Sequence, residues 1–423
     1  MKKALTLVLA VLMLLSLFSV SAMAEAGKTQ ITFWHMYGDS SGINDAIADF
    51  NASQDEIEVV ASYYSSHDDL LTKLQVTAAA GSTEKPNVIL IDCVKVGPVD
   101  EIFPLVDLTD YIAAEDGLDF EDFYPVFQRF SKNAAGEIVS LHMASNCLVM
   151  YYNKALFEAA GLDPEVGPKN WDEIIEFGQK LTDADKGVWG YEPNFIRDPS
   201  NEGYSWEWQA QTMTAGGEIW NDDFTQIKFT ENNAAVEALQ FWHDCIYKYG
   251  ITSMSPAENA FENGFVGMQV GGTWAGGSYA AALGDDLGVS VLYGKDGVAK
   301  TCAGGEHLMI VESDEEHEDA SWKFISYMMS EKVNAYICKQ NGMCPTRASI
   351  AHSESFADVL KIPYIAVTDE MLANYAVTRC TRADYPQFSQ IVHDYVQAVM
   401  YDTMSPEDAV AAMAADITSA LGL

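Results

Sequence analysis

One tryptophan lies in a glycine-rich segment that is suited to holding a ligand. Trp274 sits within Gly271-Gly272-Thr273-Trp274-Ala275-Gly276-Gly277, directly after a predicted strand. The segment contains neither GxxxxGK[ST] nor GxGxxG, so its glycines do not predict a phosphate or dinucleotide loop. They allow the backbone to approach a ligand while the indole stacks on an apolar face, such as the C–H face of a sugar ring. We therefore predict Trp274 as the leading ligand contact.

Two arginines are notable because basic residues are scarce. The chain of 423 residues has 24 Lys and Arg against 62 Asp and Glu, which gives a formal net charge of -38. This balance argues against binding to nucleic acid, which requires a basic surface, and against docking on anionic lipid. Against that background, the guanidinium of Arg379 or Arg382 could hold a pair of sugar hydroxyls, a carboxylate or a phosphate. A salt bridge to one of the many acids is the alternative role for Arg379.

The sequence shows no catalytic or metal-binding pattern. It has no nucleophile elbow and no HExxH helix, and its seven cysteines include no CxxC pair, so we expect no metal and no cofactor. Disulfides are one interpretation of these cysteines, with Cys338 and Cys344 as the only close pair, and buried thiols are the other. A secreted glycoside hydrolase with two carboxylates is the rival to reversible binding. We expect a binding protein and not an enzyme.

Strands and helices alternate along the chain and would position these residues. Hydrophobic periodicity predicts strands at 30–35, 57–63 and 88–91, with helices at 42–50 and 68–80 between them. This β-α-β-α-β order predicts an α/β domain with a parallel sheet. Further strands are predicted at 147–152, 265–270 and 307–311, and the C-terminal region is predicted to be helical.

The N-terminus has the pattern of an export signal. Lys2 and Lys3 precede an apolar stretch, and Ala22-Met23-Ala24 has small residues at the positions of a cleavage site, so residues 1–24 are expected to be a signal peptide. No cysteine precedes Cys93, so the sequence offers no lipobox cysteine and does not support a lipid anchor. The protein is therefore expected to be exported, to the periplasm or the cell exterior.

Four segments together resemble the extracellular solute-binding proteins of ABC importers, in the branch that includes maltose, multiple-sugar and glycerol-phosphate binders. No segment is specific alone, but their order and spacing behind an export signal are typical of that family. The segments are Ile31-Thr32-Phe33-Trp34-His35 with Phe50-Asn51; Tyr151-Tyr152-Asn153-Lys154 with Gly161-Leu162-Asp163-Pro164 and Asn170-Trp171-Asp172-Glu173; Phe261 to Met268 with Gly272-Thr273-Trp274; and Gly304 to Ile310 with Ala320 to Phe324 and Gly342 to Arg347.

The resemblance implies an α/β fold of two lobes, the type II periplasmic-binding-protein-like fold, with a ligand cleft between them. Lobe one is expected at 25–143 plus 302–346 and lobe two at 145–300 plus 348–423, with hinge crossovers near 142–146, 300–303 and 345–348. The lobes would close on a small-molecule ligand, and the closed monomer would deliver it to the transmembrane permease subunits and their ATPase.

Family position also implies a set of ligand-binding residues. Trp34, Tyr37 and Asp39 leave the end of the first strand, and Asp92 ends the third, where open α/β sheets bind ligands. Asn146 and Trp206 match positions at which relatives place a polar contact and an aromatic platform, whereas Trp208 is expected to pack in the interior.

Two of the predicted contacts point to different ligands. Trp274 is similar to a sugar-binding platform, while Ala376-Val377-Thr378-Arg379 resembles glycerol-phosphate binders. We expect a carbohydrate ligand, most simply an oligosaccharide. Glycerol 3-phosphate or a glycerophosphodiester is the alternative.

Overall fold

The computed structural model describes residues 27–82 and 84–423. The expected signal peptide, residues 1–24, lies outside the described residues. Within the described ranges, no helix combines the length and the apolarity needed to cross a membrane.

Twelve strands form the sheets of the described chain. They are β1 Thr29–His35, β2 Ile57–Tyr63, β3 Val88–Asp92, β4 Leu141–Asn146, β5 Leu148–Asn153, β6 Trp189–Glu192, β7 Val266–Gly272, β8 Leu287–Ser290, β9 Thr301–Cys302, β10 Gly304–Ile310, β11 Cys344–Pro345 and β12 Ala376–Val377.

The α-helices of the same residues lie between and after these strands. They are α1 Ile43–Ser53, α2 His67–Ala79, α3 Val96–Ile102, α4 Thr109–Ala114, α5 Pro125–Phe130, α6 Lys154–Ala159, α7 Trp171–Leu181, α8 Asn194–Arg197, α9 Asn201–Thr214, α10 Ala234–Tyr247, α11 Gly276–Leu283, α12 Glu315–Met328, α13 Glu331–Asn341, α14 Ala348–Ala351, α15 Pro363–Asn374, α16 Tyr385–Met400 and α17 Pro406–Leu421.

The larger sheet has six strands in the order β11-β4-β10-β3-β1-β2. Strand β1 pairs in parallel with β2 and β3, as the β-α-β-α-β pattern predicts, but β10 is antiparallel to both β3 and β4. The sheet is therefore mixed, because the late strand β10 enters it from a distant part of the chain. Both faces are covered: Phe33 and Leu90 lie in one hydrophobic cluster, while Trp34 and Ile89 lie in another on the opposite face.

The smaller sheet has four strands in the order β6-β7-β5-β8, with β5 antiparallel to its neighbours β7 and β8. The larger sheet ends at Asn146 and the smaller one begins at Leu148, so the chain passes from one to the other at Cys147. Residues 142–146, where a crossover is expected, form most of β4 and lie directly before this passage. Strand β9 pairs in parallel with β12, and it lies just before the chain returns to the larger sheet at Gly304.

All seven cysteines are free thiols, and every one is buried. This favours the interpretation of these residues as small apolar core side chains, because no disulfide links any of them in the structure. Cys338 and Cys344, the close pair in the sequence, are likewise free and buried.

Candidate functional site

A cavity of about 790 Å³ lies between the two sheets. Tyr37 follows β1 and Asp92 ends β3 on the side of the larger sheet, while Trp206 on α9 and Trp274 after β7 come from the side of the smaller one. The cavity thus collects chain segments that are more than three hundred residues apart in sequence. Its position at the ends of strands is where open α/β sheets bind ligands. Five of the predicted contacts besides Trp274 line it: Tyr37, Asp92, Asn146, Trp206 and Arg379.

The two cavity tryptophans have different exposure and therefore different roles. Their rings stack with centroids 5.5 Å apart and an interplanar angle of 22°. Trp206 is only 7% exposed and donates its indole N–H to the carbonyl oxygen of Cys302 at 3.0 Å, so it supports the stack from behind. Trp274 keeps 42% of its surface exposed and presents the free ring. Trp208, by contrast, is fully buried against Phe229.

Gly272, two residues before Trp274, is required for steric reasons. A Cβ on Gly272 would lie 2.0 Å from the Trp274 ring, so the ring can fold over this backbone only because the side chain is absent. The sequence analysis predicted that these glycines let the backbone approach a ligand. In the structure, the group that lies close to the Gly272 backbone is the indole of Trp274.

Arg379 lies beneath the cavity surface and is 1% exposed. Its guanidinium forms an ion pair with Glu202, a second with Asp92 at 3.5 Å, and a hydrogen bond from Nε to the carbonyl oxygen of Ala303 at 3.1 Å. It also lies over the ring of Trp206, 4.6 Å from the centroid. The salt-bridge alternative therefore describes Arg379, whose donors are directed to the protein and not into the cavity.

The electrostatics of this triad follow from burial. Burial is the largest influence on Asp92 and opposes its charged form, but Arg379, His67, Lys95 and the backbone N–H of Val94 together outweigh it and lower the pKa of that carboxyl. For Glu202 burial is the stronger influence and raises the pKa, with Arg379 acting against it. One guanidinium thus pairs with two carboxylates, one at the end of β3 and one on α9, and ties them together at the base of the cavity.

Two predicted contacts, Trp34 and Asp39, do not line the cavity. Side chains alternate along a strand, and Trp34 faces the helix side of β1, where it packs on Tyr64 with ring centroids 5.4 Å apart. Asp39 is exposed in a short turn of 3-10 helix and accepts a hydrogen bond from Asn44 at 2.9 Å. Both predictions as ligand contacts were wrong in this structure, because the strand's pleat and the turn direct these side chains elsewhere.

Asn146 lies at the cavity with an unused acceptor. It is 5% exposed, and its Oδ1 has no hydrogen-bond partner among the described residues. A Cβ on the neighbouring Gly304 would lie 2.5 Å from that oxygen, so the glycine leaves the amide room. A buried unpaired acceptor is costly, and a ligand hydroxyl would satisfy it.

Sequence reasoning missed several acids and a histidine at the cavity, among them Glu202, Glu306 and His67. Glu306 lies in the middle of β10, a strand whose residues are all buried, and is itself 4% exposed. A carboxylate inside an otherwise apolar strand was the available signal. Nothing comparable in the sequence distinguished Glu202 or His67 from surface residues.

The cavity is already supplied with counter-charges. Lys95 pairs with Asp68 at 2.7 Å, and Arg379 pairs with Glu202 and Asp92. Of the basic residues that line the cavity, this leaves the exposed Lys339 at its rim. Within the described part of the chain, no group of three His, Cys, Asp or Glu side chains is arranged to hold a metal ion.

Residues 45–363 match the family model of the bacterial extracellular solute-binding proteins. The chain belongs to this family. This confirms the resemblance drawn from the four segments, and it makes the protein an exported solute-binding component of an ABC importer. The fold is the two-lobed α/β fold of periplasmic binding proteins, as predicted.

Relatives within the family bind different solutes. This solute-binding protein is 24% identical over 412 residues to the sn-glycerol-3-phosphate-binding periplasmic protein UgpB of Yersinia pestis. The match covers 93% of this chain and 92% of the relative. Among solved structures, it is similar to the cyclic alpha-maltosyl-1,6-maltose binding protein from Arthrobacter globiformis, with 28% identity, a TM-score of 0.81, and coverage of 93% and 99% of the two chains.

A third comparison concerns the fold alone. UgpB from Mycobacterium tuberculosis, solved in complex with glycerophosphocholine, is 21% identical with a TM-score of 0.78, and the match covers 94% of this chain and 99% of that one. Sugar-binding and glycerol-phosphate-binding relatives therefore share this architecture, and the ligand must be inferred from the cavity.

Proposed function

We propose that this solute-binding protein captures a neutral carbohydrate, most simply an oligosaccharide, and delivers it to the membrane permease of an ABC importer. The observation that carries the proposal is the exposed ring of Trp274 in a cavity whose Lys95 and Arg379 are already paired with carboxylates. A sugar ring offers the apolar C–H face that stacks on such an indole. It brings no charge that would need a free cation.

The volume of the cavity favours a ligand much larger than a solvent molecule. Its volume of about 790 Å³ lies in the upper part of the roughly 300–1,000 Å³ typical of sites for drug-sized ligands. The similarity to the cyclic alpha-maltosyl-1,6-maltose binding protein points in the same direction. We therefore favour an oligosaccharide over a single sugar unit.

Glycerol 3-phosphate or a glycerophosphodiester is the second candidate, because the Yersinia pestis relative binds sn-glycerol 3-phosphate. The charges disfavour it. The guanidinium of Arg379 is committed to Glu202 and Asp92, so a phosphate placed beside it would lie near both carboxylates, and the remaining lining lysine, Lys339, is exposed.

Reversible binding fits the site better than hydrolysis. A glycoside hydrolase needs one carboxyl free to give its proton and another free to attack or activate water. Here Asp92 and Glu202 are both held by Arg379, and Glu306 is held on one oxygen by Tyr37, so the buried acids are engaged by the protein and do not form a free pair. We propose that the protein acts as a monomeric binder without a cofactor and has no nucleic-acid partner.

The two sheets suggest how the cleft closes. We propose that residues 25–143 with 302–346 form one lobe and 145–300 with 348–423 the other, with the ligand trapped by rotation about the crossing segments. The passage of the chain at Cys147, between β4 and β5, supports a hinge there.

Calorimetry and melting curves on the mature protein test the proposal. A ligand that binds only the folded state at about 100 times its Kd adds roughly 2.7 kcal/mol of stability. We expect neutral oligosaccharides to raise the melting temperature, and Trp274→Ala to weaken the best of them about 30-fold, equivalent to roughly 2 kcal/mol. Tyr401→Ala, which removes an aromatic side chain 56% exposed and outside the cavity, is the matched control.

Each outcome bears on the ligand class. A shift with glycerol 3-phosphate or its diesters alone would overturn the carbohydrate assignment while leaving the solute-binding role intact. Unchanged affinity in Trp274→Ala would show that the sugar does not stack on this ring.

A further inference from the structure

Three side chains from separate elements meet at the wall of the cavity on the side of the larger sheet. Glu306 lies on β10, His67 begins α2, and Tyr37 follows β1. The Tyr37 hydroxyl donates to Glu306 Oε2 at 2.5 Å, which fixes the carboxyl in place. The other carboxyl oxygen, Oε1, lies 3.8 Å from His67 Nε2. That separation is too long for a hydrogen bond.

The backbone determines which nitrogen of His67 carries the proton. The N–H of Asp92 donates to His67 Nδ1 at 3.1 Å, so Nδ1 acts as an acceptor and bears no hydrogen. Burial lowers the pKa of His67, which keeps the ring neutral. In a neutral imidazole the proton must then be on Nε2. An N–H donor therefore stands opposite Glu306 Oε1 without reaching it.

Among the described residues, no second side chain donates a hydrogen bond to the carboxyl group opposite. Tyr37 satisfies Oε2, and Oε1 has His67 as its nearest basic neighbour at 3.8 Å. The side chain of His67 is 23% exposed and that of Glu306 is 6% exposed, and both residues line the cavity. A separation of 3.8 Å leaves no room for an oxygen on the line between Nε2 and Oε1, but a ligand oxygen on the cavity side can lie at hydrogen-bond distance from both.

A single hydroxyl has the properties that this gap requires. Its oxygen accepts the N–H of His67, and its hydrogen rotates to donate to Glu306 when the carboxyl is ionised. When the carboxyl is protonated, the same oxygen accepts from it as well, because it has two lone pairs. An ether oxygen can only accept, and a phosphate oxygen would bring a charge next to Asp92 and Glu306. The pair thus fits a neutral hydroxyl in either protonation state of the acid.

We infer, on the basis of the proposed function, that Glu306 and His67 hold one hydroxyl of the ligand between them and select for it. Asn146 extends the same surface. It pairs in register with Gly304, two residues before Glu306 on β10, and its Oδ1 has no donor among the described residues. A second hydroxyl of the ligand would satisfy that oxygen, so the wall suits a ligand with more than one hydroxyl.

A double-mutant cycle tests the shared contact, with maltotetraose as the probe in isothermal titration calorimetry. Glu306→Ala and His67→Ala are each expected to weaken binding about 10-fold. If both groups hold the same hydroxyl, the double variant is expected to lose little more than either single variant, because removing one partner already releases the group. Glu306→Gln keeps an acceptor for Tyr37 and a donor toward the gap, and should restore binding to within about threefold of the parent.

A ligand-free measurement tests the premise separately. Nitrogen-15 NMR of the histidine side chains should show His67 as the tautomer protonated on Nε2. A proton on Nδ1 would overturn the inference, as would an additive cycle with a loss of about 100-fold in the double variant. Thermal melting of each variant confirms that the fold is intact.

The outcomes separate this inference from the ligand class. If maltotetraose binds, Trp274→Ala weakens it and the cycle is additive, the carbohydrate function stands and the shared contact is wrong. If maltotetraose does not bind but glycerol 3-phosphate does, the same cycle is run with that probe, which has two free hydroxyls. A coupled cycle then supports the shared contact while the carbohydrate assignment falls, and an additive one overturns both. Failure of the parent to bind either probe also overturns both.

Discussion

Replacing Arg379 with methionine should destabilise the protein while leaving its ligand affinity nearly unchanged. Arg379 is 1% exposed, and its guanidinium pairs with both Asp92 and Glu202. Removing one partner of a buried ion pair costs about 3–5 kcal/mol, because it leaves uncompensated charge. The two carboxylate side chains keep 18% and 29% of their surface exposed, so water can partly rehydrate them. We therefore expect a loss at the lower end, about 3 kcal/mol.

The loss should depend on pH in a defined direction. In the parent, Arg379 lowers the pKa of Asp92 against the effect of burial, so that carboxyl contributes stability above its ordinary value of 3.8, and this contribution is lost at lower pH. Without the guanidinium, burial is opposed only by weaker influences, among them Lys95, so the pKa values of Asp92 and Glu202 should both be higher than in the parent. Protonation then relieves the variant as the pH falls from 7 to 5, and the difference from the parent should shrink.

Urea unfolding at pH 7 and pH 5, monitored by tryptophan fluorescence, measures this difference, and calorimetry measures affinity. Arg382→Met is a suitable comparison, because that guanidinium pairs with Asp384 near the surface and not at the cavity. A stability loss below about 1 kcal/mol together with a tenfold or greater loss of affinity would refute the reasoning. It would make Arg379 a ligand contact and would revive the phosphate-containing candidates.

Two further predictions concern buried groups away from the cavity wall. The seven cysteines are free and buried, so Ellman's reagent should find essentially none in the native protein and seven in guanidinium chloride; fewer than seven would reveal a disulfide. His142 and His307 pack ring to ring, and burial lowers the pKa of His142 from 6.5 to about 3. Its neutral form therefore contributes stability above pH 6.5 that is lost as the pH falls, at up to about 1.4 kcal/mol per pH unit. Between pH 6.5 and 4.5, the free energy of unfolding of His142→Phe, measured with urea, should fall by about 2–3 kcal/mol less than that of the parent. Parallel pH profiles of the two proteins would contradict this.

Local patterns predicted most of the elements that frame the cavity. The predicted strand at 30–35 corresponds to β1, and the run 88–91 to β3, because apolar runs of that length with punctuating polar residues have few alternative structures. The C-terminal helix at Ser405-Pro406 begins where predicted, since a serine N-cap followed by proline is a strong local signal. The antiparallel entry of β10 was not predictable, because pairing between distant strands depends on tertiary packing.

The site was predicted in part, and the errors have a common cause. Trp274 and Asn146 reach the cavity as expected, but Trp34 faces the other side of the same strand. A shift of one residue along a strand reverses the face to which a side chain points. Family position gave the segment correctly and could not give the face for this residue.

The sequence by itself determined the family, the α/β fold and the residue types available for a sugar, since these depend on local periodicity and short patterns. Only the tertiary structure decided the charge of the cavity. Asp92, Glu202 and Arg379 are up to 287 residues apart along the chain, and their ion pairs depend on distances of a few ångströms. The same holds for the gap between Glu306 and His67, because a hydrogen bond that is missing by less than an ångström is a property of packing and leaves no trace in composition or spacing.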